Sequence, residues 1–149
     1  MRAAVQRVSE AAVDVDGTIC GSIPSGLLVY VGVAPDDGDD DVAYLVDKVR
    51  HLRIFCDDSD RMNLDVVQAG GQVLLVSAFT LQADARKGRR PSFDSAADPK
   101  HACALYEQLC DSLSETGVPV ARGSFGAYMK VSCVNDGPIC ILLDSRKII

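Results

Sequence analysis

A chain of 149 residues, 48% hydrophobic and 24% charged, has the size and composition of one folded domain spanning residues 1–149. Its net charge of −6 argues against a surface that coats nucleic acid indiscriminately, so DNA is not an expected partner. No apolar run approaches the roughly 20 residues of a membrane helix, and Met1-Arg2 leads into alternating residues rather than an apolar leader. A cytoplasmic protein with no membrane partner is therefore expected.

In chain order, residues 2–9 and 11–15 read as two short strands with partial alternation, and Asp16-Gly17 is a hairpin signal leading into a strand over 18–23. Residues 26–34 (GLLVYVGVA) are continuously apolar, as in a strand covered on both faces. Five acids in the six positions 36–41 then open a helix, whose stripe is Val42, Leu45, Val46, Val49 and Leu52. Acids at that end suit the helix dipole, and no chemistry is assigned to them.

Residues 72–79 (QVLLVSAF) read as another buried strand, followed by a basic loop that ends at Pro91. Asp98-Pro99 is a helix start with a capping side chain and proline at the first helical position. Leu105, Leu109 and Leu113 form that helix's stripe, and Gly117 is its stop. Strands are expected over 118–122, 129–134 and 139–144, with a turn at the Gly137-Pro138 pair between the last two. Strands, helix, strand, helix, strands make a mixed-sheet α+β domain with two main helices, not a doubly wound one.

The cysteines (Cys20, Cys56, Cys103, Cys110, Cys133 and Cys140) show no CxxC pairing and fall mostly in apolar runs. They read as buried free thiols in a reducing compartment. The two histidines, His51 and His101, fall within the helices as solvent-facing residues. There is no GxSxG elbow, HExxH, P-loop or GxGxxG. No metal and no cofactor is expected, and an enzyme built on this chain works without a strong side-chain base.

Two segments remain as carriers of chemistry. Ser77-Ala78-Phe79-Thr80-Leu81 leaves the end of a buried strand, where free backbone N–H groups can face a developing oxyanion. Arg86, Lys87, Arg89 and Arg90 concentrate four of the fifteen bases in five positions, a local anion site or a solvated loop.

"SAFTL" followed by "RKGRRPSF", "LYEQL", "GSFGAYMKVSCVNDGP" and "LLDSRK" resembles the D-aminoacyl-tRNA deacylases, and the likeness spans nearly the whole chain. The resemblance implies a barrel-like core and a cytosolic homodimer that hydrolyses the carboxylic ester joining a D-amino acid, or glycine, to the 3′ acceptor end of tRNA. It places the ester against Ser77, Phe79 and Thr80, and phosphates against Arg86, Lys87, Arg89 and Arg90. Phe125 and Met129 become candidates to pack on the terminal adenine, beside the alternative of ordinary core packing. It also implies that Gly137-Pro138 is cis and reaches into the partner's site to reject L-amino acids. Ala78 stands where the family usually has glutamine, and Cys140 where it usually has threonine. The rival readings are a non-catalytic tRNA-binding module and an esterase or amidase acting on free D-amino-acid derivatives.

Overall fold

The computed structural model describes residues 1–149. Its spine is β1 (Arg2–Val15), a strand 14 residues long that serves partners on both edges. On one edge, residues 11–15 pair antiparallel with β2 (Thr18–Ile23) and residues 2–8 with β3 (Gly26–Gly32). The sequence suggests two strands here because the alternation breaks at Ser9. The register steps from Val8 opposite Asn135 to Glu10 opposite Val134, leaving Ser9 as an extra residue. Such a bulge inverts the side-chain parity. Ala3 and Val5 therefore join one apolar cluster, while Val8, Ala11 and Val13 join the other.

Helix α1 (Asp39–His51) carries the chain from β3 to the parallel strand β6 (Gln72–Ser77), passing the two-stranded pair β4 (Phe55–Cys56) and β5 (Met62–Leu64). Helix α2 (Pro99–Glu115) carries it on to β7 (Val120–Arg122), parallel to β6. The small β4–β5 pair is too short to leave a periodic signal in the sequence. Both helices lay Val42, Leu45, Val49, Leu105, Leu109 and Leu113 on one face of the sheet. The other face curls around Leu28, Leu74, Val76 and Ile23, and β2 folds back against β7. The result is a nearly closed, barrel-like mixed sheet with two helices. Residues 26–32 are apolar throughout because the strand is covered on both faces.

The acidic run divides between two tasks. Asp39, Asp40 and Asp41 occupy the first turn of α1, and the Asp41 carboxylate accepts from the Gly38 N–H at 2.8 Å. Asp37 is instead buried, accepting from the Ala34 N–H (2.6 Å) and pairing with the Met1 α-ammonium (2.8 Å) and Arg146 (3.1 Å). Asp98 caps α2 as its sequence suggests, accepting from Lys100 and His101 N–H groups.

The last segment corrects the expected hairpin. Residues 130–144 form a single strand, β8 (Lys130–Asp144), paired with β1 along its length. Asn135 lies opposite Val8 and Cys140 opposite Gln6, so residues 136–139 are extruded where β1 offers only Arg7. Gly137-Pro138 is thus the tip of a bulge on an edge strand, a place where proline's missing N–H costs no ladder bond.

The thiols also depart from expectation. Only Cys110 is buried, Cys103 is half-buried, and Cys20, Cys56, Cys133 and Cys140 are exposed; all six are unpaired. The four exposed ones lie on β2, β4 and β8, strands at sheet edges, where an apolar run does not imply burial. Burial pushes the Cys110 thiol up to about 11, which keeps it protonated and inert. His51 is exposed, whereas His101 is half-buried and its Nε2 donates to the Asp37 carbonyl at 2.9 Å.

Candidate active site

The site begins where β6 stops. The Ala78 N–H donates to the Val31 carbonyl (2.7 Å), and the chain then turns into a short 3₁₀ helix, Phe79–Gln82. The buried Gln82 side chain fastens this turn to β3 by donating to the Gly32 carbonyl at 2.9 Å. The approach is close: a Cβ on Gly32 would lie 2.9 Å from both the Ala78 carbonyl oxygen and the Leu81 Cβ. Arg2 adds a bond to the Leu81 carbonyl at 3.2 Å.

The first N–H groups of any helix have no acceptor inside it. Here the turn's ladder opens with the Leu81 N–H donating to the Ala78 carbonyl (3.1 Å), followed by Ala83 to Thr80 (3.1 Å). The N–H groups of Phe79 and Thr80 precede that ladder. They are two adjacent donors at the mouth of a strand, held on a turn that is fastened from behind.

These donors border a cleft of about 630 Å³ between the ends of β3 and β6, the 3₁₀ turn, the start of α2 and residues 125–131. Ser77, Phe79, Thr80, Phe125 and Met129 all line it. The structure therefore brings together five of the residues singled out from sequence. It adds three that sequence reasoning missed. Phe93 packs edge-on against Phe79 with centroids 5.1 Å apart, Tyr106 leans on Phe125 at 5.8 Å, and Tyr30 lies on the cleft floor. Phe93 stands just beyond the basic run, in "RRPSF", which is the signal that could have found it.

Among the lining residues only Tyr30 and Tyr106 can ionise. Burial raises the pKa of both, and the Tyr106 hydroxyl is committed to the Leu75 carbonyl at 2.8 Å. No carboxylate, imidazole, amine or thiol faces the cleft. Its polar chemistry consists of the Ser77 and Thr80 hydroxyls and main-chain groups, set in a largely apolar wall.

The basic loop rises beside the cleft. Asp84 and Ser92 close its base with paired backbone bonds of 2.8 and 2.9 Å, and Phe93 follows directly. The four bases are not equivalent. Arg86 grips the Asp84 carboxylate through Nε (2.9 Å) and Nη2 (2.6 Å), and these bonds hold the Asp84 carboxyl well below the usual carboxylate range. Lys87, Arg89 and Arg90 are exposed and form no ion pair.

Gly137 and Pro138 do not line the cleft of their own chain, and both are exposed. The peptide between them is cis. Gly137 has φ +147°, and an added Cβ would stand 2.8 Å from Ile139 Cγ1 and 2.9 Å from the Ile139 nitrogen. Only glycine suits this corner.

Residues 4–144 match the family model described as D-Tyr-tRNA(Tyr) deacylase. The D-aminoacyl-tRNA deacylase of Syntrophobacter fumaroxidans is 54% identical over 148 residues, covering 99% of each chain. That of Anaeromyxobacter dehalogenans is 56% identical over the same span and coverage. Among solved structures, the c-Myc DNA unwinding element binding protein superposes with a TM-score of 0.91 at 35% identity, over 97% of this chain and 98% of that one. A probable eukaryotic D-amino acid tRNA deacylase shares the fold, with a TM-score of 0.80 at 17% identity over 95% and 97% of the two chains. With the motifs, the strand-end turn and end-to-end relatives at more than half identity in agreement, this chain belongs to the D-Tyr-tRNA(Tyr) deacylase family.

Proposed function

We propose that this protein is a hydrolase that cleaves the ester joining a D-amino acid, or glycine, to tRNA, and that it spares L-aminoacyl-tRNA. The observation that carries the reaction class is the family match across residues 4–144. The supporting geometry is the pair of N–H groups at Phe79 and Thr80, which precede the turn's ladder, beside a cleft whose only ionisable residues are two tyrosines of raised pKa.

Ester hydrolysis develops negative charge on the carbonyl oxygen, and preorganised donors in an apolar wall stabilise it. The N–H groups of Phe79 and Thr80 take that role, with Ser77 at the strand end beside them. The terminal ribose of tRNA carries a 2′-hydroxyl next to the ester. That group orients the attacking water, so the protein needs no base of its own. Thr80 as a covalent nucleophile is the weaker mechanism, because no cleft residue can take its proton near neutral pH. Phe125 and Met129 form the wall against which the terminal adenine packs.

The Gly137-Pro138 bulge acts in trans, as a wedge from a second copy. It is exposed, it lies outside its own chain's cleft, and it sits on β8, a long strand whose outer edge has no partner. Val134 (50% exposed) and Leu142 (60%) stand on the same strand. Unpaired edges of this kind invite a partner strand or face, and a homodimer covers them. Main-chain carbonyls of the bulge hold the substrate's α-ammonium. With that group and the ester both pinned, an L side chain points into main chain while hydrogen fits, which makes the exclusion steric. Glycine carries no side chain to reject. The cytosol, where tRNA is charged, is the proposed place of action.

The deciding experiment incubates matched D-, L- and glycyl-tRNA with the purified protein and follows loss of the acyl group. Rapid loss of the D and glycyl esters with the L ester spared is expected. Binding without ester loss supports the RNA-binding module instead, and turnover of small D-esters without tRNA supports the free-substrate esterase.

The basic loop gives a second expectation. Replacing Lys87, Arg89 and Arg90 together with alanine should weaken tRNA binding and flatten its dependence on salt. Each phosphate that is no longer neutralised lowers the log–log slope by about 0.7–0.9. Arg86→Ala should change the slope least, because Asp84 already occupies that guanidinium. Fluorescence-detected tRNA binding at several salt concentrations measures both.

A further inference from the structure

We infer that Asn135 is a specificity-determining positioning residue: its carboxamide sets how the Gly137-Pro138 bulge projects, and thereby the preference for D- over L-substrate. The inference rests on the reading of that bulge as the stereochemical wedge.

Extruding residues 136–139 opposite the single residue Arg7 takes several main-chain groups out of the β1–β8 ladder. Groups left without a partner let a bulge drift among conformations. Asn135 prevents this from the base of the bulge. Its Oδ1 accepts from the Ile139 N–H at 2.8 Å, and its Nδ2 donates to the Ile139 carbonyl at 3.1 Å. One side chain therefore supplies both bonds that a neighbouring strand would have made to Ile139. On the other side, the Arg7 Nε donates to the Asp136 carbonyl at 3.0 Å. Only Gly137 and Pro138 stand free between the two anchors.

The chemistry of the clamp is particular to asparagine. It requires one acceptor and one donor on a planar group one carbon from the backbone. Aspartate keeps the acceptor and loses the donor, glutamine is a methylene too long, and alanine offers neither. Arg7 is a poorer probe because it also donates to the Ile54 carbonyl (2.6 Å), so its removal disturbs the approach to β4. Both hydrogen bonds of the Asn135 side chain stay within the bulge.

The test compares wild type, Asn135→Asp and Asn135→Ala for hydrolysis of matched D- and L-aminoacyl-tRNA, with thermal melting and amide exchange at Ile139 measured alongside. A wedge that wanders excludes L side chains less well. The D:L ratio of kcat/KM should fall by about tenfold in Asn135→Ala and by less in Asn135→Asp, the scale set by losing two or one modest hydrogen bonds. D-substrate turnover should fall as well, because the bulge carbonyls that hold the α-ammonium wander with the tip, but by less than a fixed displacement of the tip costs, so the D:L ratio is the readout that decides. If the alanine protein does not fold, the aspartate variant decides alone. Variants that melt normally, exchange Ile139 faster and still discriminate as well as wild type overturn the inference. A wild type with no D preference removes the wedge itself, which separates failure of that reading from failure of the role given to Asn135.

Discussion

Phe79→Pro is expected to hydrolyse D-aminoacyl-tRNA about 10²–10³ times more slowly than Phe79→Ala, the cost of deleting one oxyanion donor. Both variants lose the aromatic ring and its edge-on packing with Phe93, so their ratio isolates the main-chain N–H. The backbone should tolerate the proline. Phe79 is the first residue of the 3₁₀ turn, and the regular 3₁₀ φ of about −50° to −70° matches proline's fixed value. Ala78 before it, at φ −145° and ψ 87°, lies outside the α region that a following proline disfavours and needs a modest rise in ψ to reach the range of about +120° to +160° that it favours. The Phe79 N–H also takes no part in the turn's ladder, so the turn keeps its own hydrogen bonds. Thr80→Ala, which keeps its N–H, should retain near-normal turnover. Single-turnover deacylation of D-tyrosyl-tRNA measures all three. Equal rates for the proline and alanine variants, or an inert Thr80→Ala, would move catalysis from the main chain to the threonine hydroxyl.

The second large effect is expected at the bulge. Gly137→Ala should lower D-aminoacyl-tRNA turnover by about 10²-fold, the scale of a misplacement near 1 Å in a positioned substrate. A non-glycine residue at φ +147° is strained, and its Cβ would press on the Ile139 nitrogen and Cγ1. Because Gly137 and Pro138 at the tip are exposed and outside both apolar clusters, with only Ile139 of the bulge packed against one of them, that strain relaxes locally by moving the tip. The melting temperature should therefore change little while activity collapses. The same collapse together with a comparable loss of melting temperature would place Gly137 in stability rather than in substrate positioning. Mixing Gly137→Ala with an active-site variant such as Phe79→Pro tests donation in trans. Mixed dimers in which one intact cleft meets one intact bulge should recover activity that neither variant shows alone.

Much of this architecture is legible in the chain. The helix-opening aspartates, the Asp98-Pro99 cap, the doubly covered apolar strands and the strand-end "SAFTL" each depend on neighbours within a few residues, and local physics acts on them directly. The chain also carries, in its lack of a suitably placed histidine or catalytic motif, the expectation of a site without a strong base. Other features depend on which distant segment lies opposite. The Ser9 bulge and the four residues extruded against Arg7 exist only because β8 pairs with β1, and no local pattern encodes that register. The exposure of Cys133 and Cys140 follows from β8 being an edge strand, a property of sheet order and not of composition. Phe93 and Tyr106 meet Phe79 and Phe125 because the loop base and α2 fold over the end of β6. Arg86 is set apart from the three bases left free beside it by Asp84 only two residues earlier, a local pairing and not a tertiary one.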